Sequence, residues 1–270
     1  MQKRKVRSLF LSDIHLANPN SQVRRLSEFL DHIEADHIFL LGDIVDLWKL
    51  SNRKGRWYKA HEAVLQKIIQ RANTGTRVVY VPGNHDPFFR HFSGRALGPV
   101  EVHHEHLHTL ANGDTFLLMH GDRFDDELHV GALLHNIADT LYESIVAANR
   151  HLNQVRSWLG KPYWSLSVAL KMTSKKARAY IEAFEHLAVD YARQQGAKGV
   201  ICGHIHQAKL TTVDGIVYAN DGDWVESCTA LIETQDGQLE ILNAQGETQT
   251  TVDEVEASAA PVLIRNSASS

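Results

Sequence analysis

The sequence predicts an α/β protein organised around a parallel core sheet. Three features lead there: strands and helices alternate over residues 6–81, a second run of strands occupies 199–243, and a long helical stretch separates the two. Residues 6–12 read as a buried strand, and 23–33 as a helix with Leu26, Phe29, Leu30 and Ile33 on one face. A strand at 37–41, a helix at 60–72 and a β-branched strand at 77–81 complete the alternation that parallel sheets require. Residues 101–110 and 114–119, split by Asn112-Gly113, read as a β-hairpin. From 124 to 196 the pattern is helical, with stripes through Val130, Leu133, Leu134, Ile137 and Leu141 and through Ala177, Tyr180, Ile181, Phe184 and Ala188. Strands resume at 199–202, 216–219, 229–233 and 239–243, the last two joined by the Asp236-Gly237 turn signal. These patterns divide the chain into a core (1–123 and 197–247), a helical cap inserted at 124–196, and a disordered tail at 248–270 rich in Ala, Ser, Thr and Glu.

Composition bounds the function. With 43% hydrophobic and 22% charged residues the chain is an ordinary globular protein, and a net charge of -4 argues against nucleic acid as a partner. No apolar run approaches the roughly 18 to 20 residues that span a bilayer. Lys3, Arg4, Lys5 and Arg7 precede an apolar stretch as in a signal peptide, but Asp13 closes that stretch after a few residues, so a first strand is expected. Two cysteines, Cys202 and Cys228, are too few for a disulfide framework and suggest a reducing compartment, with a cytoplasmic location expected.

Histidine is the outlier, with 17 copies. Five polar segments each follow an apolar strand: Asp13-Ile14-His15, Gly42-Asp43, Gly83-Asn84-His85-Asp86, His120-Gly121-Asp122 and Gly203-His204-Ile205-His206. In α/β sheets, ligands collect outside the carboxyl ends of strands, so these segments should converge. In a still-extended chain, Asp13 and His15 would point to one side, as would His204 and His206. Mixed oxygen and nitrogen donors suit Mn, Fe or Zn better than calcium, and seven such residues match two cations about 3.5 to 4 Å apart.

The ordered set D-x-H, G-D, G-N-H-D, H-G-D and G-H-x-H resembles the calcineurin-like metallophosphoesterase superfamily, across residues 13–206. The resemblance implies a four-layer α/β/β/α sandwich and a hydrolase with two divalent ions, manganese first among the candidates. It places one ion on Asp13, His15 and His206 and the other on Asn84, His120 and His204, with Asp43 bridging. His85 would then protonate the leaving oxygen or steady the phosphoryl group, and Asp86 would orient His85 as a catalytic partner.

Within the superfamily the chain looks most like the UDP-2,3-diacylglucosamine diphosphatase branch. The blocks Ser12-Asp13-Ile14-His15-Leu16, Gly42-Asp43-Ile44-Val45-Asp46-Leu47-Trp48 and Asn220-Asp221-Gly222-Asp223-Trp224-Val225 carry this likeness, as does the helical insertion. It implies a nucleotide-lipid substrate and peripheral contact with a membrane surface. One departure stands out: that branch carries Arg where this chain has His85. A paralogue acting on another phosphodiester or a phosphomonoester is the alternative. A metal-free scaffold should show damaged ligand positions, and here all seven are intact.

Other residues have weaker claims. Arg123 lies three residues from His120 and is a candidate for substrate oxygens, with Lys49, Arg53, Lys54, Arg56 and Lys59 as alternatives. Trp158 and Trp164 are candidates for an acyl-chain groove. His103, His104, His106 and His108 form a cluster that hairpin alternation should split between two faces.

Overall fold

A computed structural model describes residues 3–128 and 173–251, together with Leu152, Asn153, Arg156, Trp158 and Leu159. The first half delivers β1 (Arg4–Leu11), α1 (Val23–His32), β2 (Ile33–Leu40), α2 (Leu47–Ser51), α3 (Lys59–Asn73) and β3 (Arg77–Tyr80). Strands β1, β2 and β3 run parallel in register, as the alternation requires. The short β4 (Arg95–Leu97) and β5 (Val100–Val102) close that edge. A second sheet begins with β6 (His106–Thr109) and β7 (Thr115–Leu118) and, after α4 (Lys175–Gln194), gains β8 (Gly199–Cys202), β9 (Lys209–Val213) and β10 (Ile216–Asn220). The chain then returns to the first sheet through β11 (Thr229–Glu233), β12 (Leu239–Asn243) and β13 (Thr248–Thr251). The sheet orders are β13-β12-β11-β1-β2-β3-β5-β4 and β6-β7-β8-β10-β9.

Strand alternation builds the layers. Phe10, Phe39 and Val79 from the first sheet meet Phe116, Leu118, Ile201 and Ala219 from the second in one apolar seam. Phe10 and Phe39 stack there with centroids 5.0 Å apart. The residues between them, Leu9, Leu11, Ile38, Leu40 and Val78, face the other way, against Leu26, Phe29 and Leu30 of α1 and Val64 and Ile68 of α3. In the second sheet Leu117, Val200 and Cys202 face Phe184, Ala188, Val189 and Ala192 of α4. Both faces of both sheets are thereby covered, giving the α/β/β/α arrangement. Such strands read as near-continuous apolar runs, as the end of β1 (Leu9 to Leu11) and β8 do.

Three sequence expectations change. Helix α4, expected in the cap, buries its apolar face on the second sheet, and its buried Glu185 pairs with Lys209 of β9 at 2.6 Å. The tail expected to be disordered from 248 continues as β13, because Thr248–Thr251 pairs with β12. Residues 101–110 form two strands in different sheets, since the chain crosses over between Val102 and His106. The rest of the expected cap falls largely outside the described residues, Trp164 included, while Trp158 is 84% exposed. Among the described residues no helix is long and apolar enough to cross a membrane.

The histidine cluster sorts by strand parity. His106 and His108 share a face of β6 and both rings lie against Phe39, at 5.9 and 4.7 Å. His108 Nε2 meets Glu233 Oε2 at 2.8 Å, and Glu233 also accepts hydrogen bonds from Ser8 and Arg7. Burial pushes the His106 imidazole down to about 4, helped by the nearby charges of Arg77 and His103. Between an unfolded value near 6.5 and the folded one, the unfolded chain takes up this proton and the native state does not, so stability falls as pH drops through that window. We predict that the melting temperature falls from pH 7 to pH 5 and that His106→Gln shrinks the fall. An unchanged pH slope in that variant would assign the dependence to other groups.

Candidate metal centre

The five polar segments converge where the parallel strands of the two sheets end. Backbone pairing carries β1 and β2 past their formal ends: Asp13 N–H donates to Gly42 O at 3.0 Å, His15 N–H to Asp43 O at 2.8 Å and Leu16 N–H to Ile44 O at 2.9 Å. Gly203 N–H donates to His120 O at 3.1 Å, joining the segments after β7 and β8. The chain is not extended here, as the sequence had suggested. Asp13, His15, Asp43, His204 and His206 all take left-handed conformations, with φ of 49°, 50°, 54°, 70° and 54°. Alternating left-handed residues, rather than a pleat, point the D-x-H and H-x-H pairs inward. Each costs of order 1 to 3 kcal/mol, a strain that concentrates at functional sites. Gly42, at φ 87°, leaves room for the His120 ring, which an added Cβ would strike.

The donor atoms fall into overlapping groups, each within 4.8 Å: Asp13, His15 and His206; Asp13, Asp43 and His120; and His15, Asp43 and His85. Asp13 Oδ2 accepts from Ser12 Oγ at 2.6 Å and His204 N at 2.8 Å. Its buried Oδ1 has no hydrogen-bond donor of good geometry and lies 3.0 Å from His206 Nε2. Asp43 divides its oxygens, with Oδ1 3.4 Å from His120 Nε2 and Oδ2 3.7 Å from His15 Nε2. Asn84 Oδ1 lies 3.1 Å from His120 Nε2. His120 Nδ1–H donates to Leu41 O at 2.8 Å, which leaves Nε2 as the inward donor. His204 departs from the pattern: its ring lies 5.1 Å from that of His120, but its Nε2 is turned to Asp125 Oδ1 at 2.8 Å.

This arrangement fits divalent cations. Burial alone would raise the carboxyl pKa values, yet His206 holds Asp13 low and His120 holds Asp43 low, so both stay anionic in a nearly dry space. Burial opposes protonation of His15, but Asp46, Asp43 and Asp13 outweigh it and push its pKa up to about 9. Cations shared among these groups would replace the protons that balance the carboxylates. Behind them, Ser12 Oγ lies 2.6 Å from both Asp13 Oδ2 and Asp221 Oδ1. One hydroxyl hydrogen cannot serve two carboxylates. Burial pushes the Asp221 carboxyl well above the ordinary carboxylate range, with Ser12 Oγ and the nearby Asp13 charge acting on it in opposite senses.

His85 sits at the opening, its side chain 24% exposed, with Nδ1 3.2 Å from Asp46 Oδ1 and Nε2 4.0 Å from Asp43 Oδ2. Its orienting carboxylate is thus Asp46, and the expectation for Asp86 is overturned. Asp86 instead accepts from the backbone of Gly83 (2.6 Å), Ile44 (2.7 Å) and Val45 (3.3 Å), locking two segments together. Asp46 lies 3.4 Å from His15 Nδ1 as well, and it caps α2 by accepting from Lys49 N at 2.9 Å. The sequence held a signal for it: a carboxylate three residues after Asp43, just ahead of a short helix. The exposed Trp48 lies over the His85 ring at 4.3 Å, and the expected basic residues Arg53, Lys54, Arg56 and Lys59 are exposed beyond it. Arg123 lines a small cleft with His120, Arg90 and His104, but it pairs with Glu105 and stacks 3.7 Å over Tyr191.

We predict that Asp86→Ala, by leaving the buried N–H groups of Gly83 and Ile44 and the half-buried one of Val45 without this acceptor, lowers stability by about 3 kcal/mol while the cation-binding donors remain. A urea midpoint unchanged from wild type would remove Asp86 from this structural role.

The profile of the calcineurin-like phosphoesterase family matches residues 6–208. A UDP-2,3-diacylglucosamine hydrolase of Chromohalobacter salexigens is 24% identical over 233 residues, covering 77% of this chain and 84% of that protein. The protein of the same description from Xanthomonas campestris pv. campestris is 25% identical over 255 residues, covering 85% and 96%. Among solved structures, the E. coli phosphoesterase Yfce covers 91% of this chain and 97% of its own at 14% identity and a TM-score of 0.46, a likeness too slight to inform the site. The profile spans most of the chain and contains all five polar segments, and on that ground the chain belongs to the calcineurin-like phosphoesterase family, whose members use divalent metal ions.

Proposed function

We propose that the chain hydrolyses a phosphate ester or anhydride at a dinuclear centre, with a nucleotide-lipid diphosphate of the UDP-2,3-diacylglucosamine kind as substrate, released as UMP and a lipid phosphate. The observation that carries the dinuclear reading is Asp43, whose two oxygens face His15 on one side and His120 on the other. Asp13, His15 and His206 would hold one cation, and Asn84, His120 and His204 the other. Bound there, the pair would supply a hydroxide-like nucleophile and positive charge against the phosphoryl oxygens. Manganese is the first candidate, and iron or zinc suits the same donors.

The chain's own residues add the proton chemistry. Asp46 Oδ1, 3.2 Å from His85 Nδ1, would hold the ring so that Nε2 is the nitrogen available to the leaving oxygen. Trp48 covers one face of that ring and restricts its rotation. The nucleotide-lipid substrate rests on the relatives' names and on the sequence blocks that resemble that branch, and contact with a membrane surface through the insertion, Trp158 and Trp164 included, is part of the same proposal.

His85 supports a second reading. A phosphate leaving from a diphosphate departs readily as an anion, whereas an alkoxide needs a proton. A proton donor in place of a fixed guanidinium therefore suits a phosphodiester or phosphomonoester with an alcohol leaving group.

Three outcomes test these proposals. Manganese-loaded protein should release UMP from UDP-2,3-diacylglucosamine and lose the activity to a chelator; cleavage of a soluble phosphodiester without UMP release would select the second reading. Asp43→Ala should lose both bound metal and activity, and full turnover by it would end the dinuclear assignment. His85→Ala should slow turnover about 10²- to 10⁴-fold with metal content unchanged, the usual scale for a general acid. Loss of metal from that variant would make His85 a ligand instead.

A further inference from the structure

We infer that Asp125 is a positioning residue for the second cation, acting through His204 and steadied from helix α4 by Tyr180; the inference rests on the dinuclear reading. Each of the other ring ligands sends one nitrogen inward and turns the other outward, to a hydrogen-bond acceptor in His120 and toward nearby carboxylates in His15 and His206. His120 Nδ1 meets Leu41 O at 2.8 Å, His15 Nδ1 faces Asp46 Oδ2 at 3.4 Å, and His206 Nδ1 faces Asp223 and Glu226, both at 3.9 Å. In all three the inward nitrogen is Nε2.

His204 is reversed. Its Nε2 lies 2.8 Å from Asp125 Oδ1, and among the described residues no three-donor group includes either residue. The nitrogen it can offer a cation is therefore Nδ1. A neutral imidazole carries one hydrogen, and an acceptor-only carboxylate at Nε2 fixes that hydrogen there and leaves the Nδ1 lone pair free. The ring is held in this pose. The His204 N–H donates to Asp13 Oδ2 at 2.8 Å, φ is 70°, and the rings of His120 and Phe184 lie on it at 5.1 and 6.0 Å.

Tyr180 OH donates to the same Asp125 oxygen at 3.3 Å. Asp125 ends the short turn Asp122–Phe124, where the insertion begins, and Tyr180 lies on α4, where the chain has returned. The second cation site is thus tied to both ends of the insertion.

The test is calorimetric titration of metal-free full-length protein with manganese. Wild type should bind two ions. Asp125→Ala should bind the first as wild type does and the second about 10- to 100-fold more weakly, the usual cost of losing a carboxylate behind a metal-bound histidine. Asp125→Asn should recover part of the loss, because its amide oxygen still accepts from Nε2–H. Tyr180→Phe should weaken the second site by a smaller factor. Two wild-type affinities in Asp125→Ala would overturn the inference while leaving the dinuclear reading intact. Equal weakening of both sites would also overturn it, since that marks a general structural role. Fewer than two ions bound by wild type would overturn the dinuclear reading itself, and this inference with it.

Discussion

Two buried carboxylates, Asp13 and Asp43, stand at the ends of adjacent parallel strands, and much of the structure exists to keep them there and charged. Desolvation penalises each anion heavily, and only close positive charge or donated hydrogen bonds can offset it. The surroundings supply both. Ser12 and the His204 backbone hold one oxygen of Asp13, and the His85 backbone holds one of Asp43, while the imidazoles of His15, His85, His120 and His206 lie within 4.0 Å of the carboxylate oxygens. Substituting any of these supports leaves a negative charge with nowhere to go. The four-layer packing meets the same demand on a larger scale, since sheets covered on both faces are stiff enough to hold left-handed residues against their preference.

Most of the fold was legible because its elements have clean periods. Strands at 199–202, 229–233 and 239–243 fall where alternation and turn signals place them, and the first three strands and their helices shift by only a few residues. Legibility failed where tertiary partners decide. Thr248–Thr251 has β-branched residues but no apolar alternation to mark a strand in a polar tail; β12 offers the pairing edge. Helix α4 looks from its own stripe like any amphipathic helix, and only the second sheet shows which way it faces. The crossover between β5 and β6 was hidden because both halves carry strand character and share one run.

At the site, the residue types were readable and the reasons for their geometry were not. Asp, His, Asn and Gly after apolar strands announce the donors, and the structure gathers Asp13, His15, Asp43, Asn84, His120 and His206. Which carboxylate serves which histidine depends on loop paths. Asp86 adjoins His85 in sequence, yet its side chain turns back to backbone N–H groups, while Asp46 reaches the ring from another segment. Adjacency along the chain is a poor guide to contact in a loop where neighbouring side chains turn to different segments.

The meeting of Asp125 and Tyr180, 55 residues apart, has a consequence for how such a chain can vary. The polypeptide leaves the core and re-enters it at neighbouring points, so whatever lies between is a closed excursion. Lengthening such an excursion costs little, because loop-closure entropy grows only with the logarithm of its length. Descent and design can therefore trade one excursion for another at this doorway without disturbing the layers beneath.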